Sequence, residues 1–433
     1  MTSAIAAASP MAVTAPTIRR LENGLTIIAE QMPVEAVNLN LWLRVGSAVE
    51  TDAINGMAHF LEHMIFKGTS QLPAGEFERR IEARGGLTNA VTSQDYTHFF
   101  ITTAPQDFAD LAPLQIELVM NPLVTDAEFE RERPVILEEI RRANDNPRRR
   151  TFYRSMEMAF ERLPYRRPVL GPTAVIEGLN AQQMRDFHGY WYQPNRITAV
   201  AVGNLPVEEL IQGVSEGFDR AMAQRQYPAA SPGNGAVRSA PESPYKKIQR
   251  LEQTDASLQQ ARLIMSWRVP GLTDLEDTYA LDVLASVLGQ GRTSRLTQDL
   301  REQRQLVSGI SAGNLTYWQQ GVFHIGAHLA AAHLGEVEAI IAGHIERICQ
   351  EAITPAELRR VQTQVANRYV FGSESPSDRA GLYGYYQTLT GHLEHALHYP
   401  AYIQALTAQD IQTVAQRYLS STAYGAVTLR PAP

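Results

Sequence analysis

The sequence predicts an α+β protein built from two duplicated domains, each a mostly antiparallel sheet faced by helices. Alternating apolar stretches followed by amphipathic helical stretches occur in both halves of the 433-residue chain. A stretch rich in Pro, Gly and Ser separates these halves, and segments of the first half resemble segments of the second. A content of 44% hydrophobic and 20% charged residues is typical of a globular protein with ample core.

The Pro-, Gly- and Ser-rich stretch sets the predicted domain boundaries. Few large apolar residues occur in 224–247, so we expect an exposed linker there. Residues 1–16 are predicted to be a flexible N-terminus, because small residues and Pro10 dominate them. The predicted N-terminal domain is then 17–223 and the C-terminal domain is 248–433.

The first pair of similar segments joins a strand to a helix. "LNLWLRVGS" precedes one helix in the first half, and "ARLIMSWRVPG" precedes another in the second. Aligning Arg44 with Arg268 sets His59 opposite Val283 and His63 opposite Val287. We therefore expect the second copy to keep the helix and to lack the histidines.

The second pair of similar segments begins with a threonine followed by acids. "PLVTDAEFERERPVILEEIRR" resembles "EAITPAELRRVQTQVANRY", and matching Thr125 with Thr354 pairs Glu139 with Arg368. Thr followed by acids in the first turn predicts a helix start. Each half should also carry an edge strand, and in the first half we assign it to "RITAVAVGNL", 196–205.

Charge and cysteine content exclude several classes of function. A formal net charge of −7 and a pI near 5.9 argue against binding nucleic acid or an anionic membrane. No stretch approaches the 18 to 20 apolar residues of a membrane span. The single cysteine, Cys349, excludes an intramolecular disulfide and a cysteine-based zinc site, so any metal must bind His and carboxylate.

One motif has the spacing of metal ligands. "NGMAHFLEHMIFKGT" places His59 and His63 four residues apart, which puts both imidazoles on one face of a helix. Zn²⁺ accepts imidazole and carboxylate ligands, and Glu62 on the same face can act as general base. This H-x-x-E-H order is the inverzincin motif. The simpler reading is two histidines on a buried helix. The second histidine cluster, His392, His395 and His398, has a spacing of three, and we interpret it as surface or partner-facing.

"HFLEHMIFKGT" resembles the signature of the pitrilysin or insulinase-like zinc peptidases, which include the mitochondrial processing peptidase. "LGPTAVIEGL" and "LGQGRTSRL" extend the resemblance over nearly the whole chain. It implies one Zn²⁺ per chain, with Glu139, 76 residues beyond His63, as third ligand in preference to the adjacent Glu138. Glu132, two turns before Glu139, then has the place of an acid that orients a ligating histidine.

The resemblance also implies a substrate site. "GGLTNAVTSQDYTHFF" corresponds to a sheet edge on which the family binds an extended peptide as an added strand, which suggests Asn89, Ala90, Thr92 and Phe99 as substrate-binding residues. A strand that simply pairs within the sheet is an equally compatible reading.

The C-terminal half contains an arginine and a tyrosine at the spacing the family uses. They are Arg379 and Tyr386, seven residues apart. The resemblance implies that Arg379 binds the peptide and that Tyr386 stabilises the oxyanion. The alternative is a helix whose aromatic residues pack into the core.

Family members of this length form half of a clamshell chamber. The resemblance therefore implies a homodimer, or a heterodimer with a related subunit that lacks the zinc motif. The implied activity is that of a zinc metalloendopeptidase hydrolysing internal bonds of short, unstructured peptides bound as an added strand inside the dimeric chamber. A specific presequence or precursor processing peptidase and a non-catalytic scaffold remain the alternatives.

Overall fold

The computed structural model of the chain describes residues 15–225 and 240–432. Most of the predicted flexible N-terminus, 1–16, and most of the predicted linker, 224–247, lie outside these residues. The described residues form two sheets, each with its own hydrophobic core and its own helices. This confirms the predicted α+β class with two similar halves.

The first sheet has six strands in the order β1-β2-β6-β3-β5-β4. All neighbouring pairs are antiparallel except β2 and β6, which are parallel. The strands are β1 (Thr17–Arg20), β2 (Thr26–Gln31), β3 (Val37–Leu43), β4 (Leu87–Thr92), β5 (Thr97–Thr103) and β6 (Ile197–Gly203).

The strand expected at the edge of this sheet is in its interior. We assigned 196–205 to an edge, but β6 pairs with β2 on one side and β3 on the other. Every residue of β6 is buried. Its run of small and β-branched apolar residues is typical of a strand covered on both faces, so the edge assignment was wrong.

The described part of the first half contains eight α-helices, and those that pack on one face of its sheet bury the larger hydrophobic cluster. They are α1 (Met57–Ile65), α2 (Glu76–Glu82), α3 (Phe108–Met120), α4 (Asp126–Asp145), α5 (Pro147–Ala159), α6 (Thr173–Gly178), α7 (Ala181–Trp191) and α8 (Val207–Ala223).

The second sheet has five strands in the order β7-β11-β8-β10-β9. Its strands are β7 (Gln249–Asp255), β8 (Ala261–Pro270), β9 (Val307–Leu315), β10 (Gln320–Leu329) and β11 (Gly425–Pro431). The α-helices of this half are α9 (Leu275–Gly289), α10 (Leu334–Gln350), α11 (Pro355–Phe371), α12 (Pro376–Thr390), α13 (Glu394–Ala405) and α14 (Ala408–Tyr418), and a π-helix spans Thr297–Gln303. Within the described residues, no helix is both long and apolar enough to cross a bilayer.

The helix of the second half that corresponds to the histidine helix is α9. Val283 and Val287, aligned with the two histidines, are both fully buried. The predicted helix starts are also present: the side chains of Thr125 and Thr354 each accept a hydrogen bond from the backbone N–H three residues later. The second copy therefore uses the histidine positions for core packing.

One helix of each half packs on the sheet of the other half. Helix α5 packs on β8 and β11, and α12 packs on β3 and β6. Along β2, Ile27 faces the core of the first half, whereas Ile28 faces a separate apolar cluster that includes Tyr383 of α12. At Gly384 the contact with the first sheet is so close that a Cβ atom would lie 2.1 Å from the indole nitrogen of Trp42. The two halves thus interlock.

Candidate metal centre

Helix α1 carries both histidines of the motif on its only face that is not fully buried. Six of its nine residues are buried, and the remaining three are His59, Glu62 and His63. The apolar residues pack into the core of the first half, so the helix cannot rotate without exposing them. The polar face is thereby held at one orientation.

A buried carboxylate caps the start of α1. Glu50 Oε1 accepts a hydrogen bond from Ala58 N at 2.7 Å, and Oε2 accepts from Gly56 N and Asn55 Nδ2 at 2.9 Å each. Gly56 has φ of +101°, a conformation that favours glycine. Burial raises the pKa of Glu50 to about 7, while the hydrogen bonds oppose the rise. Glu50 thus fixes the N-terminal end of α1, the helix that carries both histidines.

Packing between α1 and α4 brings the third ligand candidate to the histidines. The rings of Phe60 and Phe129 stack with centroids 4.5 Å apart where these helices meet. Glu139 Oε2 then lies 3.5 Å from His59 Nε2, and Glu139 Oε1 lies 3.7 Å from His63 Nε2. These separations are longer than normal hydrogen bonds. They are close to the roughly 3.3 Å expected between two ligands around one tetrahedral Zn²⁺.

The carboxylate of the neighbouring glutamate points elsewhere. Glu138 binds Arg141 and Arg142 on the solvent side of α4, and these arginines lower its pKa to about 2. His59, His63 and Glu139 can place their ligand atoms within 4.8 Å of one another, and no other such group occurs among the residues that the structure describes. Helix geometry therefore favours Glu139, as the sequence resemblance implies.

Glu132 forms a hydrogen bond with the second histidine of the motif, His63. Its Oε1 lies 2.9 Å from His63 Nδ1, and its Oε2 lies 2.7 Å from Lys67 Nζ. Burial opposes ionisation, but the hydrogen bonds from Lys67 and His63 lower the pKa of Glu132. An ionised Glu132 accepts the Nδ1 proton of His63, which leaves the Nε2 lone pair directed at Glu139.

The environment of the first histidine keeps its imidazole neutral. Burial, together with the nearby His63, lowers the pKa of His59 to about 3. The Nδ1 atom of His59 is buried without a hydrogen-bond partner among the described residues. Neutral imidazole is the form that binds Zn²⁺, and two imidazoles with one carboxylate are a ligand set of catalytic zinc sites. The residues present therefore fit a zinc ion.

Glu62 lies beside the ligand set and touches the substrate strand proposed from the sequence. Its Oε2 accepts a hydrogen bond of 2.5 Å from Thr92 Oγ1, at the end of β4. Burial raises the pKa of Glu62, and the hydrogen bond from Thr92 opposes the rise. A carboxyl group with a raised pKa that is not itself a metal ligand is suited to accept and return a proton.

Strand β4 forms an edge of the first sheet. It pairs only with β5, so its outer row of backbone N–H and C=O groups has no strand partner in the described chain. Asn89 lies on its exposed face, whereas Ala90 and Thr92 are half-buried on the face towards the helices. These three residues, predicted to bind substrate, therefore share an accessible edge next to Glu62.

The prediction for Phe99 was wrong. Its side chain is 2% exposed and lies between the rings of Phe66 and Tyr192, with centroid distances of 6.2 and 6.4 Å. Strand β5 pairs with β3 and β4 on its two sides, so it offers no free edge. Phe99 supports the sheet from within the core.

The structure does not bring Arg379 and Tyr386 to the metal ligands of the same chain. Arg379 Nη1 lies 2.5 Å from Glu30 Oε1 on β2, so this arginine joins α12 to the first sheet. The ring of Tyr386 lies 5.3 Å from that of Tyr385 and 6.1 Å from that of His395, at the core of the second half. Within one chain Tyr386 packs against the core, as in the alternative prediction, whereas Arg379 forms an ion pair between the halves.

The histidines of the second cluster, which lies in and just before α13, also have contacts of their own. His395 Nδ1 is hydrogen-bonded to the hydroxyl of Tyr279, and the rings of His392 and His395 are 5.1 Å apart. Neither residue forms a metal-ligating group with described carboxylates or histidines.

Sequence reasoning missed Glu50 and Lys67. Lys67 lies four residues after His63, in the turn that follows α1, and this short separation could have indicated its role beside Glu132. Glu50 lies six residues before the helix glycine, in an irregular segment, and no periodic signal marks it. Only the fold shows that its side chain returns to the helix start.

Two family models match the chain. Residues 25–173 match insulinase (peptidase family M16), and residues 178–365 match the peptidase M16 inactive domain. An uncharacterized zinc protease of Mycobacterium bovis is 29% identical over 426 residues, which cover 98% of this chain and 95% of that protein. Zinc protease PqqE of Helicobacter pylori is 27% identical, covering 95% and 92%.

Solved structures show the same architecture. A protease from Helicobacter pylori superimposes with a TM-score of 0.88 and 25% identity, covering 97% of this chain and all of that one. The match includes both sheets and therefore both halves. The match to the inactive-domain model begins near the end of the first half and includes α9, the helix in which valines occupy the histidine positions.

Proposed function

Because the chain belongs to the insulinase family of peptidases (peptidase family M16), we propose that it is a zinc metalloendopeptidase acting on short, unstructured peptides. The observation that carries the proposal is the convergence of His59, His63 and Glu139 beside Glu62, at an open strand edge. The two matching models together span most of the chain, and its relatives are named zinc proteases.

The proposed chemistry assigns separate roles to the residues of the centre. His59, His63 and Glu139 would hold Zn²⁺, and Glu132 with Lys67 keeps His63 in the ligating tautomer. When bound, zinc supplies Lewis-acid polarisation of water and of the scissile carbonyl.

Glu62 is the proposed general base and acid. It takes the proton from the attacking water and then returns it to the leaving amine. The raised pKa of Glu62 suits this exchange, because the carboxyl group holds the proton more readily than an exposed glutamate. The hydrogen bond from Thr92 keeps its carboxylate at the end of β4.

The edge of β4 is the proposed substrate site. An extended peptide paired with β4 would continue the antiparallel sheet and pass directly beside Glu62. Main-chain hydrogen bonds would supply most of the affinity, which favours unfolded peptides over folded proteins. Asn89, Ala90 and Thr92 are the residues of this chain that we expect to contact the peptide.

A dimeric chamber is the proposed assembly, completed by a partner subunit. In this chain Arg379 is engaged by the buried Glu30, so an identical copy offers no unpaired arginine at that position. This observation favours a related subunit without the zinc motif over a homodimer. The mass of the purified chain in solution, with its peptidase activity alone and with such a subunit, distinguishes the two assemblies.

The decisive test of the activity is Glu62→Gln. This variant keeps the size of the side chain and the ligand set, so we expect zinc content to stay at the wild-type level. Peptide hydrolysis should fall by about 10²- to 10⁴-fold, the usual contribution of a general base. Glu138→Gln is the matched control, since Glu138 faces solvent beside a ligand and should leave turnover unchanged.

The outcome also separates the alternatives. Normal hydrolysis by Glu62→Gln would contradict the assignment of the base. Absence of zinc from the wild-type protein, with no activity that a chelator removes, would instead favour a non-catalytic scaffold. Cleavage confined to one precursor peptide would indicate a processing peptidase with the same chemistry.

A further inference from the structure

A cavity of about 580 Å³ lies between the two halves of the chain. The first half contributes residues from the ends of β1, β3 and α7, and the second half contributes the β9–β10 turn and the end of α12. None of the residues of the proposed metal centre lines it. Its volume is within the range of small-molecule sites, which are commonly found between domains.

The charge of this cavity is opposite to that of the whole chain. The chain has a formal net charge of −7, yet the charged residues lining the cavity are Arg20, Arg44, Arg196 and a single acid, Asp95. Arg20 and Arg196 form no ion pair with any carboxylate in the described part of the chain. Arginines in such a setting attract anions.

The one acid of the cavity is already satisfied. Asp95 accepts hydrogen bonds from the hydroxyl of Tyr165 at 3.0 Å and from Trp318 N at 2.8 Å. Arg44 lies close enough to stabilise its charged form. Asp95 and Arg44 therefore compensate each other, and the positive charge of Arg20 and Arg196 remains for a ligand.

Aromatic rings hold two of the guanidinium groups in place. Arg196 lies 4.6 Å from the ring centroid of Tyr190 and 4.7 Å from that of Trp191. Arg44 lies 3.9 Å from the ring centroid of Trp318 in the other half. Stacking limits the orientation of a guanidinium and leaves its N–H edge for a planar, bidentate oxyanion.

A hydroxyl group from the second half has no partner at the same cavity. Thr388, near the end of α12, lines the cavity, and its Oγ1 atom is buried without a hydrogen-bond partner among the described residues. A buried polar atom left without a partner is unfavourable, and rotation about the Cα–Cβ bond would turn this hydroxyl into the cavity, where a bound ligand would satisfy it. This observation is independent of the arginines and comes from the opposite wall.

We propose that this cavity is a binding site for a small anion whose carboxylate or phosphate group is held by Arg20 and Arg196. The Thr388 hydroxyl supplies a polar contact from the other half. A ligand that touches both walls binds only the docked arrangement of the halves. Its binding therefore stabilises the folded chain, and the stabilisation grows with the logarithm of the ligand concentration above the dissociation constant.

The test uses the full, zinc-containing chain and two probes, inorganic phosphate and succinate, at constant ionic strength set with sodium chloride. We expect at least one probe to give a saturable binding isotherm by calorimetry and to raise the melting temperature with the logarithm of its concentration. Saturation with phosphate alone indicates a phosphate-bearing ligand, and saturation with succinate alone indicates a carboxylate. Zinc content is measured before and after each titration, because both probes bind zinc weakly.

Three variants separate specific binding from a general salt effect. Arg20→Gln and Arg196→Gln should each weaken the probe about tenfold, the effect of losing one charge-assisted contact. Arg154→Gln, at an exposed arginine paired with Glu157, should bind as wild type. Arg20 is exposed, so its variant is informative even if loss of the stacked Arg196 impairs folding.

Two results would overturn the proposal. One is the absence of saturable binding for both probes in the wild-type chain. The other is equal stabilisation of the wild type, Arg20→Gln and Arg154→Gln by each probe, which is the behaviour of ions excluded from protein surfaces in general.

Discussion

The ion pair between Arg379 and Glu30 provides the sharpest test of how the halves are joined. The pair has an N–O distance of 2.5 Å, and its side chains are 16% and 4% exposed. Arg379→Gln leaves the carboxylate of Glu30 buried without its counter-charge, which should lower the free energy of unfolding by about 3–5 kcal/mol. Both side chains are too buried for solvent to screen much of this loss.

The expected shift in melting temperature follows from the size of the chain. An unfolding entropy of about 2.1 cal/mol/K per residue gives roughly 0.9 kcal/mol/K for 433 residues. The loss of about 3–5 kcal/mol then lowers the melting temperature by about 3–6 °C. Calorimetry and peptide kinetics on the same preparation measure the two quantities that matter, stability and KM.

Two control variants test whether the loss of stability comes from the broken ion pair. The double variant Glu30→Met, Arg379→Met removes both charges and should restore most of the stability. Arg417→Gln breaks an exposed pair with Asp277 and should change stability by less than about 1 kcal/mol. An unchanged melting temperature for Arg379→Gln with a raised KM would refute the structural role and assign this arginine to substrate binding across a dimer.

Three further predictions concern pH, metal binding and the contact between halves. Burial raises the pKa of Asp95 from 3.8 to about 6, so the native state binds this proton more tightly than the unfolded chain. Its contribution to stability therefore falls by roughly 3 kcal/mol as pH rises through that window, and Asp95→Asn should flatten the urea-melt profile there. Glu132→Gln should weaken zinc binding about 10- to 100-fold in chelator competition, whereas Glu130→Gln on the exposed side of the helix should not. Gly384→Ala should destabilise by about 1–3 kcal/mol because its Cβ overlaps an indole, while Gly381→Ala, with open space around it, should be neutral or stabilising in urea melts.

Local periodicity explains why much of the fold was predictable. The spacing of the two histidines is a property of consecutive residues, and α1 obeys it. Strand β3 forms where the alternating sequence predicts a strand, and all seven of its residues are buried. The threonine caps were predictable for the same reason, because a cap involves a side chain and a backbone group three residues apart. The loss of ligands in the second half was also visible, because Val283 and Val287 fall at the aligned positions.

Two predictions were wrong because they depended on which strands pair with each other in the sheet. Phe99 was predicted to bind substrate and 196–205 to form an edge strand, but each lies in a strand that is paired on both sides. Strand order depends on which distant segments pair, and this is not encoded in the pattern of a single strand. Arg379 has the family spacing relative to Tyr386, yet Glu30, distant in the chain, determines its contact.

The sequence by itself placed two imidazoles and a glutamate on one helical face, in a chain whose single cysteine excludes a cysteine-based zinc site. The third ligand came from resemblance, because no local rule connects residues 76 positions apart. Only the tertiary structure brought Glu139 to within 3.5 Å of His59, through the packing of α1 on α4, and placed Lys67 and Glu132 behind His63. Side-chain type and spacing are local, whereas the distances that allow a shared metal ion depend on how the whole core packs.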